Sequence, residues 1–114
     1  MVRRRDLNHM SVEMGIKNKR TGDYRVVPVS TAQGFREHWI PASNAIGLQM
    51  VQHLPDGTFT TVRTEEIPAI VSELKRLRAF VVDKPDTAWI ADRVDRIVAA
   101  FETTDPGEYE YDFG

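Results

Sequence analysis

Apolar residues occupy every second position along residues 11–17, and polar residues or glycine separate them. A period of two is typical of a strand with one buried face. The polar stretch that follows contains a glycine suited to a turn, and residues 24–30 are again rich in β-branched residues. The pattern predicts a β-hairpin whose second strand lies at a sheet edge, because Pro28 has no N–H to donate.

The next stretch has apolar residues at helical spacing instead. Its Ser30 and Gln33 match a capping box at the start of a helix. Gly47 followed by Leu48 matches the ending of a Schellman motif. The apolar face of this first predicted helix comprises Phe35, Trp39, Ala42 and Ile46.

Pro41 interrupts this helix in the segment EHWIPASN. It removes a hydrogen bond to the Glu37 carbonyl at a cost of about 3 kcal/mol, so a kink or a break is expected there. Burial of Trp39 would offset part of that cost, at about 1.5 to 3 kcal/mol for each large side chain. The pattern favours a core role for Trp39. The alternative is a ligand site that the kink opens at His38 and Trp39.

Residues 48–63 are interpreted as a second hairpin. Pro55, Asp56 and Gly57 combine a fixed φ, a turn-forming carboxylate and a flexible backbone between two stretches of β character. The same spacing of turn chemistry and β-branched residues predicted the first hairpin. We therefore expect two hairpins, each followed by a helix.

Two stretches after residue 63 again show helical spacing. The first is expected to begin with Thr64 as its cap and to end near Val81. The second is expected to begin at Asp86 or Thr87 and to end near Glu102. The apolar stripes comprise Ile67, Ile70, Val71, Leu74, Leu77 and Val81 in the first of these helices, and Ile90, Val94, Ile97, Val98 and Phe101 in the second.

These elements occur in the order ββα-ββα-α, which predicts a single α+β domain over residues 11–102. Its antiparallel sheet should have about four strands, with the helices packed on one face. Residues 1–10 form a basic N-terminal arm in this interpretation. Residues 103–114 form an acidic, aromatic tail whose composition suits a flexible or weakly docked segment.

Composition adds that the chain is an ordinary soluble domain. It has 114 residues, of which 41% are hydrophobic and 28% charged, and it has no cysteine. Disulfides and thiolate chemistry are therefore excluded, in agreement with a cytoplasmic location. No apolar stretch approaches the roughly 18 residues of a spanning helix, so a membrane partner is not expected.

Charge is distributed unevenly along the chain. Residues 1–25 carry a net charge of +4, and residues 83–114 carry −6. The basic end supports an alternative in which the N-terminal hairpin contacts nucleic acid, although the acidic pI of about 5.9 disfavours it. The candidate phosphate contacts are Arg3, Arg4, Arg5, Lys17, Lys19 and Arg20.

A search for catalytic chemistry yields no candidate catalytic residue. His9, His38 and His53 are not paired at metal-binding spacing, no nucleophile elbow is present, and the glycines are scattered. We therefore expect neither a metal nor a cofactor, and the sequence favours a non-enzymatic protein. A small enzyme or ligand binder with a cleft at Pro41 is kept as an alternative.

Two segments are candidates for binding another protein. The tail alternates acidic and aromatic residues, and on the third predicted helix Trp89 lies off the apolar stripe beside Arg93 and Arg96. The sequence thus predicts a small protein-binding module of a bacterial-type inhibitor, immunity or accessory kind, with a homodimer left open. The tail candidates are Tyr109, Glu110, Tyr111, Asp112 and Phe113.

Overall fold

The computed structural model describes residues 11–56 and 60–114, which contain four strands and three main helices. The strands are β1 (Ser11–Asn18), β2 (Tyr24–Thr31), β3 (Thr60–Val62) and β4 (Tyr109–Phe113). The helices are α1, which joins the segments Ala32–Gly34, Phe35–Trp39 and Ile40–Ala45, then α2 (Ile67–Val81) and α3 (Ala88–Glu102). The N-terminal arm expected over residues 1–10 lies outside the described residues, as does Gly57 of the predicted turn.

The four strands form one antiparallel sheet in the order β2-β1-β4-β3. The predicted fold class, a single α+β domain with a four-stranded antiparallel sheet, is confirmed. The first hairpin is confirmed too, and β2 is an edge strand as the proline predicted. Val12 pairs with Ser30 and Glu13 with Pro28, so Val29 is an extra residue in a β-bulge next to the proline.

The second hairpin does not form. Val51–His53 is a turn of 3-10 helix, and β3 pairs with β4 instead. The reason is a tertiary contact, because the Glu73 carboxylate on α2 accepts the backbone N–H groups of Gln49, Met50 and Val51 at 2.8, 2.9 and 3.0 Å. Three charge-assisted hydrogen bonds fix this segment as a turn against its local preference for strand.

The C-terminal tail forms a central strand. Residues of β4 pair with β1 on one side and with β3 on the other. Tyr111 and Phe113 are each 1% exposed, and the Tyr111 hydroxyl lies 2.7 Å from Thr104 Oγ1. The expectation of a flexible or weakly docked tail is therefore wrong for Tyr109–Phe113, which belong to the sheet of the domain.

Helix α1 begins and ends by side-chain and backbone capping. At its start the Gly34 N–H donates to Thr31 Oγ1 at 2.9 Å, so Thr31 is the cap and the predicted Ser30–Gln33 capping box is not formed. At its end the Schellman motif is confirmed, since Gly47 has φ of 70° and the Leu48 N–H donates to the Ser43 carbonyl at 3.0 Å.

Pro41 disturbs α1 without ending it. The turn before the proline, Phe35–Trp39, is π-helical, and the Ile40 N–H donates to the Phe35 carbonyl. Such a wide turn accommodates the loss of the backbone hydrogen bond that Pro41, without an N–H, cannot donate. Trp39 is 1% exposed and stacks on Phe35 at 5.5 Å between ring centroids, so its core role is confirmed.

Helices α2 and α3 bury the predicted stripes. Ile67 and Val71 are half-buried, and the other stripe residues of both helices are buried. Thr64 begins a 3-10 turn and is not the cap, because the Glu66 carboxylate accepts the Arg63 N–H at 2.9 Å. The two helices are joined at their surface by Arg78, whose Nε donates to Asp95 at 2.7 Å.

We predict that Phe113→Ala lowers the free energy of unfolding by about 3 to 5 kcal/mol, because it leaves a cavity under a central strand. Urea unfolding followed by circular dichroism measures the change. Glu108→Ala, at an exposed position just before β4, is the control and should stay within about 0.5 kcal/mol of the wild type. Equal stability of the two variants would contradict the central position of β4.

We also predict that Glu73→Gln destabilises the fold by about 2 kcal/mol, because three backbone donors lose a charged acceptor. Urea unfolding again gives the value. The matched control is Glu65→Gln, since the Glu65 carboxylate is exposed and 3.8 Å from Arg63 Nε. Exposed ion pairs of this kind contribute about 0 to 1 kcal/mol. A loss no larger than that of the control would show that Glu73 does not hold the turn.

Candidate functional site

Trp89 stands in the first turn of α3, off the buried stripe of that helix. Its indole N–H donates to the Asp86 carbonyl at 3.1 Å, so its polar atom is satisfied within the chain. The side chain is nevertheless 37% exposed. An aromatic ring whose N–H is already bonded and whose surface is open offers apolar area to a ligand or a partner.

Helix α1 brings His38 to the same place. The His38 ring meets the Trp89 ring edge-on, with 6.0 Å between centroids. Gly34 lies under this pair: a Cβ added there would be in ordinary contact with Trp89 Cη2 at 3.6 Å, but only 2.7 Å from Ser30 Oγ and 2.9 Å from Thr31 Oγ1. Two residues that the sequence singled out separately, His38 and Trp89, therefore lie side by side.

A groove of about 330 Å³ lies next to this aromatic pair. It is bounded by the paired ends of β1 and β2, the start of α1 and the first turns of α3, and we call it the Trp89 groove. Trp89 and Arg93 line its helical side, and Pro28 and Thr31 line its sheet side. Glu13 also borders it, so the groove presents one cationic and one anionic group beside apolar surface.

The guanidinium of Arg93 is only weakly engaged within the chain. Its Nη1 donates to the Pro28 carbonyl at 3.5 Å, at the limit of a hydrogen bond, and no acidic side chain among the described residues pairs with it. Arg96 differs, because its Nε lies 3.2 Å from Asp92, the pair that the spacing predicts, and it is not among the residues lining the groove. Of the two predicted arginines, Arg93 is therefore the one available in the groove.

The tail residues divide between the two faces of the sheet. Tyr111 and Phe113 point into the core, and Glu110 and Asp112 point to the opposite side. Apart from the buried Gly15, the side chains on that side are exposed or half-buried. We call this side the open sheet face; Gly15 lies at its centre, and its side chains come from Glu13, Lys17, Tyr24, Val26, Pro28, Thr61, Glu110 and Asp112.

Two oxygen atoms converge at the centre of the open sheet face. The Tyr24 hydroxyl lies directly over Gly15, and Asp112 Oδ1 is 2.6 Å from the point where a Cβ of that glycine would stand. Burial, and then repulsion by Glu110, raise the pKa of Asp112. Burial also raises the pKa of Tyr24, with smaller effects of Asp112 and Glu13. A glycine inside a strand is a known sign of such close approach, so the sequence did contain a signal for this cluster.

The basic turn between β1 and β2 lies against the acidic end of the chain. The Lys19 side chain donates to the Pro106 carbonyl at 3.1 Å, and its N–H donates to the Glu108 carbonyl at 2.9 Å. Lys17 is opposite Glu110 in the sheet. The oppositely charged ends of the sequence thus meet, for the part of the chain that is described. Arg3, Arg4 and Arg5 lie outside it.

Comparisons with protein-family models, curated proteins and solved structures find no match to this chain. Over residues 11–56 and 60–114, no helix is long and apolar enough to cross a membrane. In the same residues, no group of three or more histidine and acidic side chains is arranged to hold a metal ion.

We predict that Asp112→Asn stabilises the protein at pH 7. Because the folded state raises the pKa of Asp112, it holds that proton to higher pH than the unfolded chain does, and the charged carboxylate lowers stability at neutral pH. The effect disappears as the pH falls through the raised pKa. Urea unfolding at a series of pH values should therefore show a gain at pH 7 that vanishes below about pH 3.9, the ordinary value for Asp.

The exposed Asp23, in the turn between β1 and β2, gives the control. Asp23→Asn should change the free energy of unfolding by less than about 0.5 kcal/mol at every pH. A loss of stability at pH 7 in Asp112→Asn would mean that the carboxylate has a favourable partner in the fold, which would contradict the geometry described above.

Proposed function

We propose that this protein is a small non-enzymatic protein-binding module, of the inhibitor, immunity or accessory type, that holds a partner protein in the Trp89 groove. The observation that carries the proposal is the exposed indole of Trp89 in one groove with the guanidinium of Arg93, which no acidic side chain of the described residues pairs with. Tryptophan and arginine are the residue types most enriched among interface residues that dominate binding energy. A cytoplasmic location, expected from the sequence, belongs to this proposal.

Trp89 is not needed to complete the core. The stripe of α3 is buried without it, and the residue after it, Ile90, is fully buried. The indole also has no free donor that would attract water, since its N–H bonds to the Asp86 carbonyl. Covering the exposed part of the ring by a partner would therefore gain apolar burial without the loss of a hydrogen bond.

Arg93 supplies directional chemistry beside this apolar surface. A guanidinium has five N–H donors in a planar fork, and among the described residues one long contact, to the Pro28 carbonyl, engages that of Arg93. The free donors suit a carboxylate or a backbone carbonyl of the partner. The groove is formed by packed strands and helices, so binding would require little ordering of the site.

The proposal is tested by capture from an extract of the native host, with the immobilised wild type compared with Arg93→Gln. Arg96→Gln is the matched control, because it removes the same charge one turn away outside the groove. With the captured partner purified, we expect Arg93→Gln to weaken binding by about tenfold or more and the control to change it less than twofold. Equal capture by all three proteins would overturn the proposal.

The partner can be a second copy of this chain, which the same variants address. Sedimentation equilibrium of the purified protein gives its mass in solution. If the wild type is a dimer and Arg93→Gln is a monomer, the groove forms the interface with a second copy of this chain. If both are monomers, the partner is a different protein.

A further inference from the structure

We infer that the open sheet face is a second docking surface, which binds a protein segment with lysine or arginine next to apolar residues. This inference does not depend on the Trp89 groove, because the residues that test it, Val26, Glu110 and Asp112, do not line that groove; the two surfaces share only Glu13 and Pro28 at their border. It concerns the side of the sheet opposite to the core.

Apolar area on this face is concentrated on the edge strand β2. Among the described residues, four large apolar side chains are exposed: Tyr24, Val26, Val82 and Trp89. Two of these, Tyr24 and Val26, are neighbours on the open sheet face, and the exposed Pro28 continues their row. Adjacent exposed apolar side chains of this kind mark an interaction surface more often than scattered ones do.

Acidic groups lie beside that row. The face carries three carboxylates, on Glu13, Glu110 and Asp112, and a single lysine, Lys17. Within residues 11–56 and 60–114, none of the three carboxylates accepts a hydrogen bond or forms an ion pair. Asp112 is half-buried, and burial and then repulsion by Glu110 raise its pKa, so its charged form is disfavoured at this position.

The negative charge of the open sheet face indicates which kind of partner it binds. Nucleic acid, an anionic membrane and a second copy of this same face would all bring negative charge to a surface that is already negative. A cationic side chain relieves the repulsion between Glu110 and Asp112 and can donate charge-assisted hydrogen bonds to both carboxylates. It also lies within reach of the Tyr24 ring, whose face attracts cations. The apolar row then accommodates the neighbouring apolar residues of the same segment.

A short peptide tests the inference directly. The probe is a hexapeptide of alternating arginine and leucine with blocked ends, and its glutamate–leucine counterpart is the negative control. Titration calorimetry in about 0.1 M salt, where the Debye length is about 10 Å, measures binding to the intact protein. We expect the arginine peptide to bind and the glutamate peptide not to bind. Absence of binding by the arginine peptide would overturn the inference.

Paired variants separate this face from the overall charge of the protein. The double variant Glu110→Gln with Asp112→Asn should lower the affinity for the arginine peptide by about tenfold. Glu65→Gln with Asp83→Asn removes the same charge from exposed positions elsewhere and should have less than a twofold effect. Equal weakening by the two pairs would show general charge attraction only and would overturn the inference.

The apolar row has a closely matched control. Val26 is 44% exposed on the open sheet face, and Val82 is 43% exposed at the end of α2. We expect Val26→Ser to lower the affinity for the arginine peptide by about threefold, the effect of losing one partly buried apolar side chain from the interface. Val82→Ser should leave this affinity unchanged. Arg93→Gln should also leave the affinity for the arginine peptide unchanged. The experiment therefore distinguishes failure of the inference about the open sheet face from failure of the proposed function.

The basic N-terminal arm of the same chain is an alternative occupant of the open sheet face. One variant distinguishes the arm from a separate partner. Neutralising its arginines removes a competitor if the arm itself covers the face. Tighter binding of the arginine peptide would then overturn the inference of a separate partner, and unchanged binding supports it. The substitutions are Arg3→Gln, Arg4→Gln and Arg5→Gln.

Discussion

The fold depends on the insertion of β4 between β1 and β3. The last strand of the chain gives the three-residue strand β3 its pairing partner and gives β1 its second neighbour. It also supplies Tyr111, whose ring packs edge-on against Phe101 of α3 at 4.9 Å between centroids. The paired segments of β1 and β4 are more than 90 residues apart in the sequence, so the sheet cannot be completed before residues 109–113 dock. The same pairing places Lys17 of β1 and Lys19 of the basic turn after it against the acidic residues at the end of the chain.

Elements stabilised by nearby residues were predictable from the sequence, and those stabilised from a distance were not. The first hairpin, the stripes of α2 and α3 and the Schellman ending of α1 depend on periods and turn residues within a few positions. The turn at Val51–His53 depends on Glu73, which lies 22 to 24 residues away from the N–H groups that it accepts. The composition of the tail suggested disorder, although its alternation of acidic and aromatic residues does describe β4 correctly. Composition alone could not reveal that this segment pairs with both β1 and β3 in the sheet.

The candidate sites show the same division. Trp89 was recognisable as a residue outside its stripe, and His38 as one beside its stripe, but their contact depends on how α1 packs against α3. Trp39, the neighbour of His38, turned to the core because the π-helical turn before Pro41 keeps the apolar face of α1 continuous. The cluster at Gly15 was missed because its members come from three strands, and only the register of the sheet brings Tyr24 and Asp112 together.

Strand β4 combines two requirements that oppose each other. Its inward aromatic residues stabilise the sheet, whereas its outward Asp112 is half-buried with a raised pKa, so its charged form lowers stability at neutral pH. A central strand is a rigid support, so this unfavourable group is held in place and cannot relax by local fraying. Departures from stable local chemistry on rigid elements are where binding surfaces are expected. The exposed indole of Trp89 and the clustered carboxylates around Gly15 are two such departures, and they lie on surfaces that share Pro28 and Glu13 as their border. A partner that covers both surfaces would therefore contact one continuous area around the edge strand β2.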